Sequence, residues 1–109
     1  MDILNSDLMM IGIPDYSSQI DIPDNFDSYT APKNGLFIGT YWSTSEGSSY
    51  GVSFYVNNIF VHRARSYKAN TGQPIQILLG KGDILMATYE NKSYGNVIEN
   101  NFIPYKYSG

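Results

Sequence analysis

Tyr50-Gly-Val-Ser-Phe-Tyr-Val56, then Asn57-Asn58, then Ile59-Phe-Val-His-Arg63 carries the clearest structural signal in the chain. Val52, Phe54 and Val56 recur at every second residue, so they share one face of an extended strand while Ser53 and Tyr55 share the other. Asn tolerates the left-handed backbone almost as well as Gly, and a two-residue hairpin turn needs positive φ at both positions. Asn57-Asn58 is therefore predicted to fold Ile59 to Arg63 back on its predecessor as an antiparallel hairpin.

The same alternation of strand and turn extends in both directions. Upstream, Ser18 to Ile22 alternates polar and apolar residues, Pro23 to Asp27 reads as a loop, and Tyr29 to Ala31 is a short extended piece. Pro32-Lys-Asn-Gly35 follows, with Gly35 expected at positive φ, and turns the chain into a strand from Leu36 to Trp42. Downstream, the polar loop from Arg65 to Gly72 precedes a strand from Pro74 to Leu79. Gly80-Lys-Gly82 is expected as a second hairpin turn into Asp83 to Tyr89. The last strand, Val97 to Tyr107, is expected to bend or to lie on an edge near Pro104. About eight short antiparallel strands with no helical period after residue 18 make an all-β domain, and a two-sheet jelly-roll sandwich is the predicted architecture.

A chain of 109 residues with Tyr, Gly, Ser and Asn in abundance suits one β-rich domain, here residues 14–109, preceded by an N-terminal leader at 1–13. Seven basic against ten acidic residues give a net charge of -3, the wrong sign for neutralising a phosphate backbone, so nucleic acid is not an expected partner. The absence of cysteine excludes disulfides and thiolate metal sites. The leader is broken by Asp2 and Asp7 and lacks the basic start and cleavage site of a signal peptide. No apolar run approaches the length of a membrane span, so membrane insertion is not expected.

Chemistry of the catalytic kind has few candidates. His62 is the lone histidine and sits on a strand with no nucleophile elbow around any serine, so the reading is non-enzymatic and calls for no cofactor. Asp21, Asp24 and Asp27 lack the spacing and glycine of a calcium loop. Gly80-Lys81-Gly82 is too short for a phosphate loop and leads into a strand, which offers no helix dipole to an anion.

Recognition is better served. In an antiparallel sandwich successive connections alternate between the two ends, which puts Pro32 to Gly35, Asn57-Asn58 and Gly80 to Gly82 at one end. The longer loops 43–49, 64–73 and 90–96 share the other end, with both chain termini pointing away from it. Those loops combine tyrosines with small polar residues, the composition of adaptable binding surfaces. Tyr50, Tyr67, Tyr94, Ser48, Asn70 and Asn91 are the candidate ligand-binding residues. Several strands are also apolar on both faces: Leu36 and Ile38 oppose Phe37 and Tyr41, while Ile84 and Met86 oppose Leu85 and Tyr89. Such strands point to self-association, with Tyr and Phe at the contact.

Three stretches carry a family resemblance: Tyr29-Thr-Ala-Pro-Lys-Asn-Gly-Leu-Phe-Ile-Gly39, Tyr55-Val-Asn-Asn-Ile-Phe-Val61, and Pro74-Ile-Gln-Ile-Leu-Leu-Gly-Lys-Gly-Asp-Ile-Leu85. They are similar to stations of the tumour-necrosis-factor-like and complement-globular-head jelly rolls, and of the C-terminal heads of bacteriophage tail and head fibres. Pro14-Asp-Tyr-Ser17 and Phe102-Ile-Pro-Tyr-Lys106 resemble the opening and close of the fibre heads. The match spans roughly residues 14 to 106, and Asn58 stands where the pattern has Gly. The resemblance implies a homotrimeric head on a virion, docked to other virion proteins through its leader and binding a host cell-surface receptor, with a saccharide as the expected ligand. Two other readings are a structural virion decoration protein without receptor recognition and a cytokine-like or adhesion ligand of cellular origin.

Overall fold

The computed structural model describes residues 12–44, 50–66 and 68–106. One turn of 3-10 helix at Tyr16–Ser18 leads into eight strands. These are β1 (Ile20–Ile22), β2 (Ser28–Thr30), β3 (Gly35–Ser43), β4 (Gly51–Val56), β5 (Ile59–Arg65), β6 (Thr71–Leu79), β7 (Ile84–Tyr89) and β8 (Gly95–Pro104). The first sheet has the order β1-β8-β3-β6 and the second β2-β7-β4-β5, with every pairing antiparallel. Two four-stranded sheets wound in this order form a jelly-roll sandwich.

The strands exist because alternate residues find the space between the sheets. Phe37 and Tyr41 from β3, Val52 and Phe54 from β4, Leu85 from β7 and Val97 and Phe102 from β8 are all buried there. Phe26, from the loop after β1, joins Phe37 at 5.4 Å and Phe54 at 6.5 Å between ring centroids, while Phe37 and Phe54 lie 6.0 Å apart. Tilted aromatic contacts of this kind add to the area they bury.

The hairpin at the centre of the sequence forms as expected: Asn57 and Asn58 have φ of 51° and 68°, and Val56 pairs with Ile59. A register shift after Phe54 leaves Val61 bulged, so that Phe54 opposes His62 while Tyr55 opposes Phe60. His62 lies against the Phe54 ring at 6.3 Å.

Several local expectations are corrected. The turns at Pro32 to Gly35 and Gly80 to Gly82 are not hairpins, because β2 and β3, and likewise β6 and β7, belong to different sheets. Each turn carries the chain across the sandwich. Gly82 has φ of 87°, but Gly35 does not take positive φ. Glycine is needed at 35 for proximity instead: a Cβ there would lie 2.5 Å from the Ile103 carbonyl and from the Phe102 ring. The final strand is central, between β1 and β3, and its bend falls at Glu99 instead of Pro104. There Glu99 and Asn100 together oppose Gly39, with Glu99 at φ of 56°, the signature of a β-bulge. The buried Asn100 amide donates to the carbonyls of Val97 and Pro23, and its oxygen occupies the place a Cβ on residue 39 would need. Finally, the chain enters β1 at Ile20, because Ser17 and Ser18 donate their hydroxyls to the Asp15 carboxylate within the 3-10 turn.

The two-faced strands resolve into one buried and one outer set. Phe37 and Tyr41 face the core, and Tyr89 packs against it. On the outer faces stand Leu36 and Ile38, half-buried, and Ile84 and Met86, exposed. The aromatic residues expected at a subunit contact on β3 are thus core residues.

Candidate recognition site

The two ends of the sandwich are built differently. At the short-turn end, backbone and side chains close a dense polar ring. The Asn57 amide donates to Asp83 Oδ1 at 2.9 Å and its oxygen accepts from the Ile84 N–H at 2.9 Å. The Gly80 N–H donates to Asp83 Oδ2 at 2.7 Å, and the Lys81 N–H to Asn34 Oδ1 at 2.7 Å. Those hydrogen bonds, the Gly80 N–H first and the Asn57 amide second, hold the Asp83 carboxyl below the usual carboxylate range. The side chains of Asn34, Asn57 and Asp83 are thereby committed to bonds within this end.

At the opposite end the described parts of the expected loops converge. The Thr44 N–H donates to the Tyr94 carbonyl at 2.9 Å, the Asn70 N–H to the Ser43 carbonyl at 2.8 Å, and the Glu90 N–H to the Gly51 carbonyl at 3.0 Å. Tyr50 and Tyr94 stack, with centroids 5.0 Å apart and planes 11° from parallel. Each keeps about two fifths of its surface exposed, at 40% and 39%. Beneath them the buried Tyr41 hydroxyl donates to the Tyr50 carbonyl at 3.3 Å. Gly95, next to Tyr94, lies so close to the Tyr41 ring that any Cβ would fall on the phenol. A core ring thus supports both members of the exposed pair. Burial pushes the Tyr41 hydroxyl above its usual range, so the phenol stays a donor.

Of the six candidates, Tyr50 and Tyr94 are brought together, whereas Tyr67 and Ser48 lie outside the described residues. Asn70 has φ of 57° and serves as a turn residue. Asn91 is committed as well: its side-chain oxygen accepts from the Ser93 N–H at 2.9 Å, and its carbonyl from the Tyr94 N–H at 3.1 Å, which sets the turn presenting Tyr94. Both asparagines shape the surface.

The structure matches no family model, curated protein or solved structure with which it was compared. The fibre-head resemblance therefore rests on the quoted motifs alone.

One contributor to this end escaped the sequence reading. The loop between β1 and β2 also belongs here, because Asn25, at φ of 52°, is laced to the start of β8. Its N–H donates to the Val97 carbonyl, its side-chain oxygen accepts from the Val97 N–H, and its amide donates to Asn96 Oδ1, all at 2.8 Å. The alternation of connections that placed the other three loops would have placed this one. Polar bridges then frame the rim: Arg63 pairs with Glu90, and the Lys92 ammonium lies 4.7 Å from the Tyr89 ring centre and 3.8 Å from Asp27. Tyr89 donates its hydroxyl to the Phe26 carbonyl at 2.8 Å, and burial, then the Asp27 charge, raises its pKa. Among the described residues no three His, Cys, Asp or Glu side chains gather as a metal site would require.

Proposed function

We propose that this domain is a non-enzymatic recognition head whose long-loop end binds a cell-surface saccharide. The observation that carries the reading is the stacked, exposed Tyr50–Tyr94 pair set among Asn, Ser and Thr residues on converging loops. Sugars present a C–H face and hydroxyls, and a preordered phenol ring with neighbouring polar groups matches both without a large entropy cost. The motif resemblance extends the proposal: the head caps a bacteriophage fibre or tail tip as a homotrimer, with the residue 1–13 leader toward the virion and the loop end toward the host. The polar ring at the short-turn end fits a mounting role.

A ring contact contributes about 1 kcal/mol, and repeated sites in an oligomer multiply it by avidity. Tyr50→Ala and Tyr94→Ala are therefore expected to weaken attachment to host cells and binding on a glycan array, with the melting temperature kept. Parental binding by both variants, together with its loss on substitution of Asn58 or Lys81, would place the binding surface at the other end. A folded parent that attaches to no cell and no glycan would favour the virion decoration role.

A further inference from the structure

The outer face of the second sheet is divided by chemistry. Its register aligns Ser28, Met86, Tyr55 and Phe60 in one cross-strand row, and Thr88, Ser53 and Arg63 in the next row toward the loop end. The first row, with Ile84 beside it and Ile59 and Val61 on the rim, contains no charged side chain. Exposure is high: Ile59 68%, Phe60 56%, Val61 44%, Ile84 44% and Met86 37%. The Tyr55 and Phe60 rings meet edge to face at 5.8 Å, which makes the row a firm surface.

We infer that this face, Tyr55, Ile59, Phe60, Val61, Ile84 and Met86, is the contact surface for a second copy of this chain. Side chains of this size expose on the order of 500 Å² between them, the size of the largest apolar patch on a monomer, roughly 300–600 Å² and often functional, and suited to the apolar centre of an interface of roughly 800 Å² per partner. The strand edges select the same place. Natural sheets guard their edges with short strands, proline or charge. Of the four edge strands, β1 and β2 are three residues long and β6 carries Pro74. β5 is a long edge, and its arginines at 63 and 65 guard only the half near the loops. Ile59 to Val61 is left apolar beside the exposed row.

The occupant follows from charge. Each copy carries a net charge of -3, so copies approach most easily through a surface that apposes no charges. An anionic lipid surface or nucleic acid would call for basic residues, and this face has none. The surface takes up Ile84 and Met86 from the two-faced strands of the sequence reading but leaves out the β3 aromatic residues, which are buried, and it stands whether or not the loop end binds sugar.

Light scattering of the full chain at micromolar concentration tests the inference. The parent should have a mass that is a multiple of 12.2 kDa. Phe60→Glu and Met86→Lys should each reduce it to the monomer mass, with the β circular dichroism kept. In the unaltered protein, amide exchange at residues 59–61 and 84–86 should slow as concentration rises, a readout that survives if a variant fails to fold. A monomeric parent overturns the inference, as does a multimer that both variants retain. Protection independent of concentration would mean that the chain covers its own patch, and capture of a monomer on phosphatidylserine vesicles would assign the face to lipid. Tyr50→Ala should leave the mass unchanged and Phe60→Glu should leave monovalent sugar affinity unchanged, so the two readings fail separately.

Discussion

Asn57 and Asn58 share a residue type and a left-handed backbone, yet glycine should be tolerated at one and costly at the other. Asn58 is valued for its φ of 68°, which glycine adopts freely. The gain from removing a Cβ in that region and the greater freedom of the unfolded chain nearly cancel, leaving Asn58→Gly within about 0.5 kcal/mol of the parent. Asn57 also takes positive φ, at 51°, but its side chain bridges to Asp83 and to the backbone of Ile84. Each hydrogen bond has a net worth of about 0.5–1.5 kcal/mol, and the solvent exposure of this pair favours the lower part of that range. Asn57→Gly should therefore destabilise by about 1.5 kcal/mol, a fall in melting temperature of roughly 6 °C for a domain of this size. Thermal melts of the two single variants, followed by circular dichroism at neutral pH, measure the difference. Equal melting temperatures would refute the reasoning, since they would mean that the turn is held by backbone conformation alone. Asn58→Val, whose branched side chain resists the left-handed region, should cost about 1 kcal/mol or more.

The same corner sets an acid limit. Asp83 has its pKa lowered in the folded state, so the stability it contributes is present above the unfolded carboxyl pKa and is lost as pH falls through the folded value. Asp83→Asn should flatten the decline in melting temperature below about pH 4, and an unchanged acid limb would contradict this. Gly95→Ala should destabilise by about 1–3 kcal/mol through overpacking against Tyr41, and the near-ultraviolet circular dichroism of the Tyr50–Tyr94 stack should fall with it. A variant as stable as the parent, with that signal intact, would show that Tyr41 has room to yield.

Period-two alternation and turn chemistry are local properties, so the amino-acid sequence alone specified the all-β class, most strand positions and the Asn57-Asn58 hairpin. It also determined which loops share an end, because antiparallel connection makes that a matter of counting. Sheet membership was beyond its reach: Pro32 to Gly35 and Gly80 to Gly82 use the same residues whether the next strand pairs with the last or crosses to the other sheet. The bulge at Glu99 was equally hidden, since it accompanies the Asn100 side chain packed where Gly39, 61 residues earlier in the sequence, leaves space. In the candidate site, residue type pointed to Tyr50 and Tyr94, but their stacking and their shared support by Tyr41 arise only when β3, β4 and β8 are brought together. The assembled sheets likewise put Asn70 in a left-handed turn and commit the Asn91 side chain to the turn before Tyr94, and they line up the apolar outer row through Tyr55, Phe60 and Met86. A strand's pattern states that two faces exist, whereas the neighbouring sheet decides which of them is buried.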